Sequence, residues 1–386
     1  MNSGGIYVHI PFCRNKCLYC DFYSAGSRIA DWNHYTTCII NELESRLKEI
    51  NFIPNTLYFG GGTPSLIPAE SFRELCSSIN RLLTNKNNWV EFTIEANPED
   101  INEEKCQVWK EAGVDRVSLG IQSMNNNELS AIGRKTTSEN NESAVKTLAL
   151  FFNNISVDIM FGLPSQTIDS YLNTLDNIIG LNPQHISSYS LMLEKGTAMT
   201  HLAEKGKIIL PDEESWIKMF HLTSSELQKA GFERYEFSNF SKKGFRSKHN
   251  TNYWNGLPYI GLGCGAHSYD GFNIRRWNPT DLKAYLRFFS KEETRDNFSA
   301  THSYFFEEEV LGIKEIKEEM IMTRLRMKQG LNLKEFDDKF GRQERQLLLK
   351  KADPYLKNKL LKEEAGFLYL TDDGIIVSDS VISGLF

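Results

Sequence analysis

The sequence has no apolar run that approaches the ~20 residues needed to cross a lipid bilayer, and it has no excess of positive charge. Its 44 lysines and arginines are outnumbered by 50 aspartates and glutamates, which gives a formal net charge of -6 at pH 7. Because a nucleic-acid partner requires a basic face, these deficits argue against a membrane-spanning protein and against one that binds nucleic acid. We therefore expect a cytoplasmic protein, for which peripheral membrane contact stays open.

Cysteine is also scarce. The chain has seven, an odd number, and lacks the apolar stretch of a secretory signal, so we expect a reducing compartment without disulfides. Three of the seven nevertheless fall close together, as Cys13, Cys17 and Cys20, directly after the apolar run 6–12. Thiolates in this arrangement suit a soft metal centre, and three ligands to a four-iron cubane leave one iron open for a substrate or cofactor.

A structural zinc site is the alternative for these three cysteines. Such a site normally takes a fourth cysteine or histidine, and the nearest histidines, His9 and His34, do not fall at a usual ligand spacing. Cys38, Cys76 and Cys106 fall in helical patterns and are predicted to be core residues.

Short apolar, β-rich runs alternate with helix-like stretches through the first half of the chain. The predicted strands are 6–12, 56–59, 90–96, 116–121, 155–161 and 185–193, and the predicted helices are 32–50, 69–83, 103–112 and 139–152. Alternation of this kind predicts parallel β/α units. Six units are too few to close an eight-unit barrel, so we predict an α/β fold with an open, partial (β/α)6 barrel.

The second half of the chain has a different pattern. A helix is predicted over 211–231 and a strand over 234–237, and residues 246–278 are dense in glycine, asparagine and aromatics, which favours a loop-rich functional segment. From about 305 the pattern changes to charged amphipathic helices and ends in β-like runs at 367–370 and 374–377, which is typical of a winged-helix-like α+β module. We therefore predict a barrel over 1–210, a barrel extension over 211–300 and an accessory domain over 301–386.

Polar and glycine residues follow the predicted strands where each one ends. Gly60-Gly61-Gly62-Thr63-Pro64 comes after the second strand, and Glu95, Gln122 and Asp158 lie at the ends of the next three or within them. In β/α barrels the C-terminal ends of the strands build the active site, so these segments are predicted to converge with the cysteines on one face. Consecutive glycines also let a ligand approach the backbone closely.

The spacing of the three cysteines after an opening strand resembles the radical S-adenosylmethionine (SAM) superfamily. The resemblance implies a 4Fe-4S cluster on Cys13, Cys17 and Cys20, with the methionine end of SAM along Gly61, Gly62 and Thr63. It implies the remaining SAM contacts as follows: Gln122 and Asp158 at the ribose, Arg134 at the carboxylate, Glu95 at the amine or a second ligand, and Tyr7 and Tyr19 near the cluster and adenine. Each of these residues is otherwise a candidate for a purely structural role.

Two longer sequence motifs restrict the resemblance to one family within this superfamily. Tyr7-Val-His-Ile-Pro-Phe-Cys13 and Asp158-Ile-Met-Phe-Gly-Leu-Pro164 resemble the oxygen-independent coproporphyrinogen III oxidase family over nearly the whole chain. That family includes the radical SAM decarboxylase itself and the HemW-like haem chaperones. Three features favour a chaperone: Phe22 stands where the oxidases have a fourth cysteine, only six residues precede Tyr7 where the oxidases have a longer arm, and 249–254 reads HNxxYW.

The HNxxYW motif suggests where haem binds. A neutral imidazole can ligate haem iron and aromatic rings can pack on a porphyrin, so His249 is the candidate ligand, with Tyr253 and Trp254 lining the pocket. Cys264, which is more simply a buried small residue, and His267 are the next candidates.

The expected function is transfer of haem to an acceptor such as a respiratory cytochrome or oxidase, by a monomer or a cluster-dependent dimer. The alternatives are coproporphyrinogen III decarboxylation and radical chemistry on another tetrapyrrole or a methyl-transfer substrate. Binding SAM does not oblige a protein to cleave it, so enzymatic activity stays open.

Overall fold

The computed structural model describes residues 3–27, 30–84, 89–290 and 305–386, and its central feature is a twelve-stranded mixed sheet. The strands are β1 (Ser3–Ile10), β2 (Phe12–Cys13), β3 (Ala25–Gly26), β4 (Ile53–Gly61), β5 (Glu91–Ala96), β6 (Arg116–Gln122), β7 (Ile155–Phe161), β8 (His185–Ser190), β9 (Glu233–Arg234), β10 (Asn239–Ser241), β11 (Tyr259–Leu262), β12 (His267–Tyr269), β13 (Ile274–Trp277), β14 (Glu307–Val310), β15 (Leu331–Asn332), β16 (Leu361–Glu364) and β17 (Phe367–Leu370).

The helices lie between these strands. They are α1 (Trp32–Arg46), α2 (Ala69–Leu82), α3 (Glu103–Glu111), α4 (Asn126–Ala131), α5 (Ser138–Ala149), α6 (Ile168–Gly180), α7 (Ala198–Glu204), α8 (Glu213–Lys229), α9 (Lys248–Trp254), α10 (Leu282–Phe289), α11 (Ile313–Arg326), α12 (Leu333–Phe340), α13 (Arg342–Lys357), α14 (Asp372–Ile376) and α15 (Ser378–Ser383). No helix among the described residues combines the length and apolar character that crossing a bilayer requires.

The sheet confirms the predicted parallel β/α arrangement. Strands β1, β4, β5, β6, β7 and β8 lie side by side in chain order and are all parallel. The structure adds β11 as a further parallel strand beside β1, and β12, β13 and β14 continue the sheet antiparallel from there. Strands β10 and β9 extend the opposite edge.

The two faces of the parallel strands differ in chemistry. Ile6 and Val8 of β1 are fully buried in the main hydrophobic core together with Leu43 of α1. Successive side chains of a strand point to opposite faces, so Tyr7 and His9 lie on the other face, where polar groups collect. The apolar face therefore holds the helices, and the polar face is available for a site.

Three expectations about local structure were wrong. Residues 246–278 are not mainly loop, because they form α9, β11, β12 and β13. The run 374–377 is not a strand: Thr371 accepts a hydrogen bond from the Gly374 amide and starts α14 there. The strand expected over 234–237 overlaps the observed β9, Glu233–Arg234, at Arg234 alone. The helix expected over 211–231 is present as α8, which Asp212 caps through the Ser215 amide.

The C-terminal region has its own antiparallel sheet, in the order β15, β17, β16, and its own hydrophobic cluster. Phe336 and Leu368 are fully buried in this cluster. Ala365 and Gly366 both have positive φ, at 51° and 82°, as a two-residue hairpin turn between β16 and β17 requires. This α+β region corresponds to the predicted accessory module, whose boundary near 301 stays a prediction.

Candidate functional site

The three clustered cysteines lie on the loop that leaves β1. Short parallel pairing of β2 with β3 closes this loop. Cys13, Cys17 and Cys20 are half-buried and all line one cavity of about 410 Å³. Thr63 donates a hydrogen bond to Cys13 Sγ at 3.5 Å, and Arg134 Nη1 donates one to Cys17 Sγ at 3.7 Å. Thr63 and Arg134, which are distant from the cysteines in sequence, therefore already donate hydrogen bonds to two of these sulfurs.

The glycine stretch after β4 packs directly against the cysteine loop. Gly62 donates its amide to the Ile10 carbonyl at 2.7 Å, and a Cβ on Gly62 would lie 2.9 Å from Cys13 Sγ. Gly61 has φ of 108°, a conformation that favours glycine, and its amide donates to Glu95 at 3.1 Å. The stretch is glycine-rich because the cysteine loop and a carboxylate both approach its backbone.

Glu95 and Gln122 lie at the ends of β5 and β6, beside this stretch. Glu95 accepts a hydrogen bond from the Tyr58 hydroxyl at 2.7 Å, and burial raises the pKa of Glu95 to about 7. Gln122 lies at a β-bulge with φ of 70°. Strained backbone of this kind is frequent at functional sites. The backbone conformation of Gln122 is therefore a second indication, besides its polar side chain, that this cavity is a functional site.

Arg134 and Asp158 complete the polar wall. Arg134 donates to the Gly120 carbonyl and, at 3.0 Å, to Asn97 Oδ1, while its Nε is buried without a hydrogen-bond partner. Asp158 accepts from Ser118 at 3.3 Å, and burial raises the pKa of its carboxyl. Buried polar groups normally have partners, so the unpaired Nε indicates room for a ligand acceptor.

A second cavity of about 580 Å³ adjoins the first, and both are lined by Asp21 and Phe22. Its walls come from β1, the β11–β13 region and α11. Aromatic rings dominate its lining, namely Tyr7, Phe22, Tyr23, Tyr253, Trp254, Tyr259 and Tyr269. An ion pair between Arg275 and Glu319 lies at its wall, together with His9 and His267. A large planar, partly charged ligand fits this chemistry.

Comparison with known families assigns two segments of the chain. Residues 7–178 match the Radical SAM superfamily, and residues 314–377 match the HemN C-terminal domain. The protein "Heme chaperone HemW" of Bacillus subtilis (strain 168) is 33% identical over 377 residues, covering 97% of this chain and 97% of its own. The chain belongs to the HemW family.

A second relative agrees with this membership, and a solved structure shares the fold. The Lactococcus lactis protein of the same name is 34% identical over 376 residues, covering 97% of this chain and 95% of its own. The solved structure "Coproporphyrinogen III oxidase (HemN) from Escherichia coli is a Radical SAM enzyme" aligns with a TM-score of 0.80 over 100% of this chain and 90% of that one. At 19% identity this likeness shows the fold alone.

The three thiols of this HemW-family chain line a cavity that has room for an iron–sulfur cluster. Among the described residues no three cysteine, histidine or carboxylate side chains converge on a point that would hold one ion. The three thiols lie around a cavity instead, and hydrogen bonds from Thr63 and Arg134 reach two of them. Hydrogen bonds to sulfur are a usual means of tuning such clusters.

The structure gathers nearly all of the residues predicted to contact SAM. Those that line the cysteine cavity are Tyr19, Gly61, Gly62, Thr63, Glu95, Gln122, Arg134 and Asp158. Tyr7 lies instead at the second cavity, where its ring stacks on Tyr58 with centroids 6.1 Å apart and its hydroxyl pairs with His9 Nδ1 at 3.0 Å. Asn97 also lines the cysteine cavity and was missed, although it follows Glu95 by two residues at the same strand end.

His249 does not reach the second cavity, although Tyr253 and Trp254 do. Its ring is buried, with Nδ1 2.8 Å from Thr56 Oγ1 and Nε2 2.7 Å from the Tyr253 hydroxyl. Burial lowers the pKa of His249 to about 3, so the ring is neutral and its two nitrogens are both engaged within the fold. In this structure His249 joins α9 to β4, and the expectation that it ligates haem iron stays a prediction.

Cys264 and His267, the next candidates for the haem ligand, differ in their exposure to solvent. Cys264 is fully buried, and its thiol donates to the Pro279 carbonyl at 3.2 Å, as expected for a small core residue. His267 is exposed at the second cavity, with its ring stacked on Trp277 at a centroid distance of 5.6 Å. The three helical cysteines, Cys38, Cys76 and Cys106, are buried as predicted.

Proposed function

We propose that this protein is a haem chaperone that binds haem in the aromatic cavity and passes it to an acceptor haem protein. The observation that carries the proposal is the second cavity itself, which is large, lined by aromatic rings and adjacent to the cysteine cavity. Apolar rings suit the porphyrin faces, and Arg275 suits a propionate. The name heme chaperone, which the Bacillus subtilis and Lactococcus lactis relatives carry, supports the same cargo.

The cysteine cavity would hold a 4Fe-4S cluster on Cys13, Cys17 and Cys20, with SAM on the adjoining polar wall. Such a cluster, when bound, supplies an electron for cleavage of the sulfonium bond of SAM. The role of the chain is binding and orientation. Arg134 and Glu95 offer a cation and a carboxyl that complement the two charged ends of an amino acid, and the glycine stretch leaves room beside them.

Phe22 favours a carrier over a decarboxylase. It occupies the wall shared by the two cavities and is 64% exposed, and a phenyl ring offers neither a thiol for redox chemistry nor a proton. We propose a cytoplasmic location and an acceptor such as a respiratory cytochrome or oxidase, with contacts that the chain's own cavities do not define. Coproporphyrinogen III oxidation is the alternative outcome.

The test is an anaerobic haem titration of the cluster-reconstituted full chain, read by the Soret band after gel filtration. Met322→Trp is designed to fill the cavity, because Met322 lines it from α11 and is 38% exposed. Leu347→Trp is the matched control, since Leu347 is 45% exposed on α13 and lines neither cavity. Wild type and the control should retain about one haem per chain and Met322→Trp should lose it.

Two results would overturn the proposal. If wild type retains no haem, the carrier function fails. If the supplied coproporphyrinogen loses two carboxyl groups while 5′-deoxyadenosine accumulates, the protein is an oxidase, and the aromatic cavity binds its substrate rather than a cargo.

A further inference from the structure

His9 is a buried histidine that the proposed binding of SAM leaves without a role. It lies on β1, is 7% exposed and lines the aromatic cavity. Its Nε2 is buried without a hydrogen-bond partner. Since buried polar atoms are almost always paired, an unpaired ring nitrogen beside a cavity indicates a missing ligand.

The other ring nitrogen of His9 is fixed. Nδ1 lies 3.0 Å from the Tyr7 hydroxyl, which orients the ring and allows the tautomer with the proton on Nδ1. The lone pair is then on Nε2. Burial lowers the pKa of His9 to about 4 and proximity to His267 contributes, while a backbone interaction with Tyr23 opposes the shift without meeting hydrogen-bond geometry. The imidazole is thus neutral near pH 7, the form that binds metals.

Two glycines make room for this ring and its strand. A Cβ on Gly61 would lie 2.5 Å from His9 Cε1 and 3.0 Å from Nε2, and a Cβ on Gly263 would lie 2.5 Å from the His9 carbonyl oxygen. Gly61 also lines the cysteine cavity. The His9 ring therefore lies between the glycine stretch, which lines the cysteine cavity, and the aromatic cavity, which His9 itself lines.

The other two histidines nearby are less suited to hold a metal. His249 has both ring nitrogens engaged with Thr56 and Tyr253. His267 is exposed, and among the described residues none forms a hydrogen bond that would fix its ring nitrogens. Metal-binding histidines usually have the second nitrogen held by a neighbouring group. Of the described histidines at this cavity, His9 is the one that combines a held Nδ1 with an unpaired Nε2.

We propose that His9 Nε2 is the axial ligand to the iron of haem held in the aromatic cavity. Coordination forms one bond from the Nε2 lone pair to iron and moves no electron or proton. The inference rests on the proposed haem binding and deepens it.

The experiment compares ferric haem complexes of the cluster-reconstituted wild type, His9→Ala, His9→Gln and His267→Ala by Soret absorption and EPR. His201→Ala is the control, because His201 is exposed on α7 and pairs only with Glu204. The imidazole-ligated signature should be lost in both His9 variants, kept in the others, and restored to that of wild type when free imidazole is added to His9→Ala. Far-UV circular dichroism and iron content establish that the variants are folded and loaded, and His9→Gln serves where His9→Ala does not fold.

The outcomes separate this inference from the proposed function. Wild type that retains no haem defeats both. Wild type that retains haem with an imidazole signature that survives both His9 substitutions overturns the ligand assignment alone, and loss of the signature in His267→Ala would move it there. A His9→Ala spectrum that free imidazole does not restore would also contradict ligation, since a merely structural histidine gives no such rescue.

Discussion

Glu95 is a half-buried carboxyl at the wall of the cysteine cavity, and its ionisation should lower the stability of the cluster-free protein. Burial raises the pKa of Glu95 to about 7 from its ordinary 4.5, even though Tyr58 and the Gly61 amide donate hydrogen bonds to it. Between pH 4.5 and 7 the folded state therefore binds more protons than the unfolded state. The free energy of unfolding must fall as pH rises through this window and level off above it.

The size of the effect follows from the same values. Each pKa unit is worth about 1.4 kcal/mol, so a rise from 4.5 to about 7 corresponds to about 3 kcal/mol. Most of this, about 2 to 3 kcal/mol, falls between pH 5 and pH 8. Glu95→Gln cannot ionise and keeps the size of the side chain. At all pH values the variant should lose about 1 kcal/mol of stability, because one hydrogen bond is weakened. Between pH 5 and pH 8 its free energy of unfolding should then rise relative to that of wild type by about 2 to 3 kcal/mol, because only wild type is destabilised by ionisation.

The assay is urea unfolding of the reduced, cluster-free chain across this pH range, followed by circular dichroism. Only the difference between variant and wild type is interpreted, because other carboxyls titrate in both. Glu142→Gln is the control, since Glu142 is exposed on α5 and contacts Lys146, and its difference from wild type should not change with pH. A flat difference for Glu95→Gln would mean that Glu95 ionises without penalty, and would refute the burial argument.

Two other predictions concern the cysteine cavity. Changing Cys13, Cys17 or Cys20 to Ala should abolish the broad iron–sulfur absorption after anaerobic reconstitution, whereas Cys38→Ala, at a buried cysteine elsewhere, should keep it; a full cluster in all three variants would refute the ligand set. Gly62→Ala should lower the iron content, because its Cβ would lie 2.9 Å from Cys13 Sγ, while Gly26→Ala has no neighbour within 4 Å and should not; equal iron in the two would contradict the packing argument.

The barrel was predictable from sequence because its parallel strands are buried and apolar, with helices of opposite pattern between them. The strand ends that line the cysteine cavity followed from the same alternation, since parallel strands present their carboxyl ends on one edge. The short strands of 246–278 were missed for a physical reason. They join the sheet through β11, whose Tyr259 pairs with Gly5 of β1, 254 residues earlier, and local composition carries no trace of that pairing.

The hydrogen-bond partners of His249 and His9 could not be predicted from the sequence either. His249 is held by Thr56, which is 193 residues away in the chain, and the free nitrogen of His9 is visible only once the neighbouring groups are placed. A polar residue inside the apolar run 6–12 was the one available signal for His9. Motif resemblance directed attention to His249 instead, because a motif does not distinguish a residue that binds a ligand from one that holds the fold together.

The HNxxYW motif lies on α9, and this helix connects the barrel to the C-terminal region through hydrogen bonds on both sides. On the barrel side, Glu91 of β5 accepts hydrogen bonds from the Lys248 amide at 2.7 Å and the His249 amide at 3.0 Å, which fixes the start of α9. On the other side, Arg324 of α11 donates to the Trp254 carbonyl at the end of α9. Since α9 and α11 both contribute walls to the aromatic cavity, a change at His249 would move Tyr253 and Trp254 with the helix. Loss of haem binding in a His249 variant would therefore be expected even though His249 does not line the aromatic cavity. Only a spectroscopic signature of the iron, rather than affinity, can assign the axial residue.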